Sequence, residues 1–132
     1  LALYFKDHYN LSVDLKVIKM KGYNFKKPGY GWPQERAWVN PSPNAQTLNM
    51  ARAYPGTVML EGTWLSEGRG TTRALEVVGA PQIDLPQILK TMEKIGKSWM
   101  KGAVLRPCYF EPTFHKYQGQ LCTGLHIHTD LP

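Results

Sequence analysis

The stretch Leu60 to Arg73, LEGTWLSEGRGTTR, gathers two carboxylates, Glu61 and Glu67, and two guanidiniums, Arg69 and Arg73. Carboxylates beside arginines can move protons, or can grip sugar hydroxyls and a carboxylated ligand. The plainer use is structural, with Glu67 and Arg69 pairing to brace a loop. Gly68 and Gly70 free the backbone to turn both side chains toward one point. Trp64 lies inside the same stretch and offers an indole face for stacking on a sugar ring. Tyr23, Trp32 and Trp38 offer similar faces, with packing as the default use. Gly68-Arg69-Gly70-Thr71-Thr72 could also cradle a phosphate on backbone N–H groups. It lacks the Lys-Ser/Thr end of a Walker loop and the third glycine of a dinucleotide fingerprint. A tight turn with positive φ accounts for its glycines equally well.

A second cluster sits near the end of the sequence. His126, His128 and Asp130 form H-x-H-x-D, which on a strand projects three side chains from one face. No further Cys or His partner is evident, so polar residues lining a cleft are the favoured reading, with no metal and no cofactor. Cys108 and Cys122 fall on separate candidate strands. A cross-strand disulfide and two buried thiols both fit them.

The elements that must position these groups read as a mixed α/β set. Leu1–Phe5 resembles the tail of an amphipathic helix, as expected for a piece of a longer protein. Leu15–Met20 is apolar on both faces, as a covered strand would be. Gly22–Pro33 is a Gly- and Pro-rich loop. Asn44 is placed to cap a short helix that Pro55-Gly56 stops. Thr57–Leu60 reads as an inner strand, with Glu61 at its carboxyl end opening into a cleft. Asp84 caps the clearest helix, where Leu85, Ile88, Leu89, Met92 and Ile95 form one face and Gly96 ends it. Val104–Phe110 and Leu121–Thr129 read as two later strands, and a boundary near Gly79-Ala80-Pro81 divides 1–80 from 81–132.

Composition narrows the function classes. The chain has 132 residues, 42% of them hydrophobic, and carries 16 Lys and Arg against 10 Asp and Glu, a net charge of +6. The lysines are scattered, no nucleic-acid recognition motif is present, and solvated surface charge is the favoured reading. No apolar run approaches membrane-spanning length, and no signal peptide is visible.

Three segments together resemble the NamZ-like exo-β-N-acetylmuramidases. They are Trp38–Asn44; Tyr54–Arg73 running on to Gly79-Ala-Pro81 and Asp84; and Arg106-Pro107, Pro112-Thr-Phe114, Lys116, Gly119, Cys122, Ile127-His128 and Asp130. Trp64 and Ala74-Leu75 depart from the family's usual Asn and Pro-Phe, and the pattern around His128 is one residue shorter. The resemblance implies the end of a Rossmann-like N-terminal domain followed by the start of a smaller α/β domain. It implies a bacterial glycosidase that is secreted or periplasmic and releases N-acetylmuramic acid from the non-reducing end of peptidoglycan fragments. Glu61 and Glu67 then stand as catalytic candidates, and Arg69, Arg73, Trp64, Asn44 and His128 as substrate-binding ones. The family's upstream acidic motifs lie outside this sequence, and the principal acid or base is expected among them. A non-catalytic peptidoglycan- or sugar-binding module is the alternative. On the enzyme reading, Glu67→Gln and Arg69→Ala should cost activity rather than stability, and the isolated chain should be silent.

Overall fold

The computed structural model describes residues 1–22, 24, 26, 32, 33, 35–96, 98 and 100–129. The chain forms two compact units, Leu1–Pro33 and Gln34–Pro132. In the first, helix α1 spans Ala2–His8 and buries none of its residues. Its rings stack one turn apart, Tyr4 on His8 and Phe5 near Tyr9 of the C-cap, the spacing that brings helical side chains together. Leu15–Met20 does not form the expected strand and is almost wholly exposed. A strand needs a neighbour for its N–H and C=O groups, and this unit has none among the described residues. Tyr23 and most of the Gly-rich loop lie outside the described residues.

In the second unit, α2 spans Leu48–Thr57. Its cap is Thr47, whose Oγ1 accepts from Met50 N at 3.0 Å. Asn44 sits earlier, in a turn where Ala45 N donates to Ser42 O at 2.9 Å. Pro55 does not stop the helix, which continues to Thr57 and passes into a 3-10 turn over Val58–Gly62. Thr57–Leu60 is therefore helical, not an inner strand. A short apolar run fits either period, and a helix already nucleated extends one residue at a time at little cost. Met59, at 74% exposed, confirms that no covered strand runs there.

The sheet has three antiparallel strands: β1 (Val77–Ala80), β2 (Val104–Phe110) and β3 (Cys122–His128), with β3 in the middle. It takes one strand from before Pro81 and two from after it. Gly79 pairs with Gly124 across β1 and β3. A Cβ on either glycine would strike the opposite strand's backbone, at Thr123 O or Val78 O. The glycine pair thus permits the close approach of these strands.

Helix α3 spans Leu85–Gly96, as its pattern requires. Asp84 Oδ1 accepts from Gln87 N at 3.0 Å, closing the expected cap. Its Leu85, Ile88 and Met92 turn toward Leu65, Val78, Leu105 and Leu125 across an apolar gap of about 190 Å³. A buried cluster joins Ala45, Met50 and Leu75. Cys108 and Cys122 are free thiols, and burial pushes both above their ordinary pKa. The result is a mixed α/β arrangement whose central strand ends in His126 and His128.

Candidate functional site

Two buried carboxylates organise the polar chemistry. The first is Glu67, 1% exposed. The segment after the 3-10 turn runs back along β1, with Ser66 N donating to Gly79 O at 2.8 Å and Gly79 N to Ser66 O at 3.0 Å. That places Glu67 inside the fold. Its Oε2 accepts from Lys116 Nζ at 3.1 Å. Its Oε1 faces Arg69 Nε at 3.3 Å and His115 Nδ1 at 3.6 Å, charge contacts that lack hydrogen-bond alignment. Arg69 also pairs with Glu61, the more exposed carboxylate. Lys116 reaches further, to the carbonyls of Leu60, Glu61 and Leu65 at 3.1, 3.0 and 3.0 Å. A cation on the carbonyls at a helical end is favourable. Gly68 and Gly70 take positive φ, 77° and 83°, and Gly70 O accepts from Thr113 N at 3.0 Å.

The second is Glu76, also 1% exposed. Thr47 Oγ1 donates to its Oε1. Asn49 Nδ2 donates to Oε2 at 2.8 Å, and His126 Nε2 stands 3.1 Å from the same oxygen. Arg73 Nη1 is 3.5 Å away. Asn49 is fully used: Nδ2 also donates to Ile127 O at 2.9 Å, and Oδ1 accepts from Thr129 N and Oγ1 at 2.6 and 2.7 Å. Burial alone would raise the Glu76 pKa. Hydrogen bonds from Thr47, Asn49 and His126, with the charge of Arg73, outweigh it and hold the carboxyl below its ordinary value.

Five of the seven sequence-predicted residues are divided among three cavities. Asn44 and Arg69 line one of about 290 Å³, together with Trp38, Tyr54 and Met50. Arg73 and His128 line another of about 380 Å³, with Arg52, Asn49, Glu76 and His126. Trp64 lines a third, beside Tyr117 and Gln120. Glu61 is brought to Arg69 although it ends no strand. Glu67 is brought to Arg69 as well, and neither carboxylate lines any of these cavities. Trp64 joins neither arginine. For the H-x-H-x-D cluster, Asp130 lies outside the described residues, and His126 faces Arg106 through one nitrogen and Glu76 through the other. Among the described residues no group of three possible ligands could hold a metal, and no helix is long and apolar enough to cross a membrane.

Residues 52–131 match the C-terminal model of exo-β-N-acetylmuramidase NamZ, and residues 1–49 match the N-terminal model. The chain belongs to the NamZ family. It is 37% identical over 129 residues to the peptidoglycan β-N-acetylmuramidase NamZ of Bacillus subtilis, covering 97% of this chain and 30% of that protein. It also resembles the crystal structure of a DUF1343 family protein from Bacteroides fragilis. There the TM-score is 0.68 at 21% identity, over 97% of this chain and 33% of the other. The chain thus spans about a third of the length of the relatives it matches.

Within this NamZ segment, sequence reading missed the Glu76 network. Thr47 and Asn49 come from the N-terminal match, and Arg73, Glu76 and His126 from the C-terminal one. Arg73 is its one local partner, three residues away; the hydrogen-bond partners that define the network are 29, 27 and 50 residues away. Lys116, by contrast, stood in the resemblance motif, but its four acceptors became visible only in the fold.

The network carries a pH signature. His126 is held below its ordinary pKa of 6.5, first by burial and then by the charges of His128 and Arg106, against the pull of Glu76. Between the folded value and 6.5, only the unfolded chain takes up this proton, so stability falls as pH drops through that range. Glu76 acts in the same direction below 4.5, where the unfolded carboxyl is protonated and the folded one is still ionised. Urea unfolding of the whole protein from pH 8 to 4 should show this loss, and a Glu76→Gln/His126→Gln variant should have the flatter profile. Parallel profiles would remove the network as the source.

Proposed function

We propose that the protein containing this chain is a glycoside hydrolase that releases N-acetylmuramic acid from the non-reducing ends of peptidoglycan fragments, and that this chain supplies part of its substrate cleft. The observation that carries the role of this chain is the basic cavity of about 380 Å³ lined by Arg52, Arg73, Glu76, His126 and His128. Its volume suits a sugar unit. Arg73 has one carboxylate partner and a half-exposed side chain, so its guanidinium keeps donors for an incoming anion. The lactyl carboxylate of muramic acid is such an anion, and a planar fork grips it better than a point charge. Ionised Glu76 holds Arg73 in place.

Glu61 and Glu67 enter through Arg69. They hold its guanidinium beside Asn44, where Trp38 and Tyr54 offer faces for a second sugar ring. Glycosidic cleavage develops oxocarbenium charge and needs a carboxyl that transfers a proton. Glu67 and Glu76 are spent on internal partners, so a carboxylate elsewhere in the whole protein supplies that step, with Glu61 the exposed carboxylate of the Leu60–Arg73 stretch. Trp64 is proposed as an outer stacking face. Such an enzyme acts on the wall side of the bacterial membrane, in a secreted or periplasmic compartment.

The test is release of free N-acetylmuramic acid by the whole protein from a muramic-acid-terminated disaccharide, with binding followed in parallel by calorimetry. Turnover supports the enzyme. Binding without turnover would make it a peptidoglycan-binding module instead.

A further inference from the structure

Arg106 stands on β2 opposite His126 of β3. Among the described residues no carboxylate forms an ion pair with it. It turns instead to two imidazoles. Its Nη2 lies 3.1 Å from His126 Nδ1, and its Nε lies 3.5 Å from His128 Nε2. The two rings pack with centroids 4.0 Å apart. A guanidinium has only donors, so an imidazole nitrogen facing it must be a bare acceptor. His126 then carries its proton on Nε2, which faces Glu76 Oε2 at 3.1 Å. His128 carries its own on Nδ1. Protonating either ring would aim an N–H at the guanidinium.

We propose that Arg106 is a positioning residue that locks His126 and His128 as opposite neutral tautomers, so that His126 donates to Glu76 and His128 offers Nδ1–H to the cavity. The relay runs from β2 through His126 to Glu76 and on to Arg73. It keeps the cavity's positive charge on its arginines and makes His128 a donor to a ligand oxygen rather than a base. The groups facing the two rings agree on charge. Arg106 on β2 opposes protonation of His126, and Arg73 and, from α2, Arg52 line the same cavity. Only Glu76 favours it, and hydrogen bonds from Thr47 and Asn49 already occupy that carboxylate. Burial of His126 works the same way. The functional part of this role rests on the cavity's reading as a substrate site; the tautomers do not.

The experiment is a long-range proton–nitrogen correlation on the whole protein labelled with ¹⁵N-histidine, assigned with His126→Gln and His128→Gln. Wild type near pH 7.5 should show His126 protonated on Nε2 and His128 on Nδ1. In Arg106→Met, His128 should relax to a mixture richer in Nε2–H, and His126 should titrate at higher pH because an adjacent cation is gone. Arg106→Lys should restore the His126 titration but not both tautomers, since a point donor cannot hold two rings. Reversed tautomers in wild type would overturn the proposal, even if the variants fail to fold. Identical spectra and titrations in wild type and Arg106→Met would also overturn it. These readouts need no turnover, so a failed muramidase assay would leave the tautomer lock standing.

Discussion

Arg73→Ala in the whole protein is expected to lower kcat/KM for a muramic-acid glycoside by about a hundredfold, the loss of roughly 2 to 3 kcal/mol of charge-assisted binding. The loss should shrink to a few-fold on a glucosamine analogue without the lactyl carboxylate, because the arginine then has no anion to grip. Arg73→Lys should recover only part of the activity, since the bidentate fork is gone. Stability should change modestly, because Glu76 keeps the hydrogen bonds from Thr47, Asn49 and His126. Arg69→Ala should cost less, as two carboxylates already occupy that guanidinium. Equal losses on both substrates would eliminate the carboxylate clamp, and a larger loss at Arg69 would move it there.

Glu67→Gln is expected to destabilise the protein by about 3 kcal/mol, near the low end for removing one partner of a buried ion pair. Residue type alone points to lost activity with little loss of stability, whereas the burial of Glu67 points to lost stability. Glu67 is 1% exposed, whereas the Arg69 and Lys116 side chains keep 25% and 22% of their surface. Water therefore softens the loss for the cations, but the segment they tie together does not re-form. Glu61→Gln is the control, since a partly exposed pair contributes about 0 to 1 kcal/mol. Urea denaturation of the three proteins decides it. A Glu67→Gln protein within about 0.5 kcal/mol of wild type would show that the cage contributes nothing to folding.

Backbone strain collects around this cage. Leu75, His115 and Tyr117 all take left-handed φ, at 64°, 72° and 58°, a conformation that costs a side chain about 1 to 3 kcal/mol. Leu75 N donates to Glu67 O at 2.6 Å, and its side chain is fully buried. The contacts of Glu67 and Lys116 hold the two strained segments together, which is a further reason to expect collapse when the carboxylate is removed.

Some of this was written locally in the sequence. Helix α3 follows from the Asp84 cap, its apolar spacing and Gly96, because each signal acts within one turn of the chain. Strands β2 and β3 follow from residue type and alternation. The family follows from the order and spacing of its motifs. What the fold alone decided is non-local. Thr57–Leu60 became helical because the upstream helix extends into it, and periodicity cannot separate the two states in so short a run. Leu15–Met20 lacks a partner strand, which no property of its own residues could reveal. β1, at four residues, is specified by pairing with β3 rather than by its own pattern. Arg69 and Arg73 are chemically alike in the sequence, and only packing separates them, one enclosed by two carboxylates and one held by a single buried one. Glu76 has one local partner, Arg73, and its other partners are distant in sequence. Its role arises because the start of α2, the turn before β1 and the end of β3 converge on one oxygen pair, and convergence of distant segments is a property of tertiary structure.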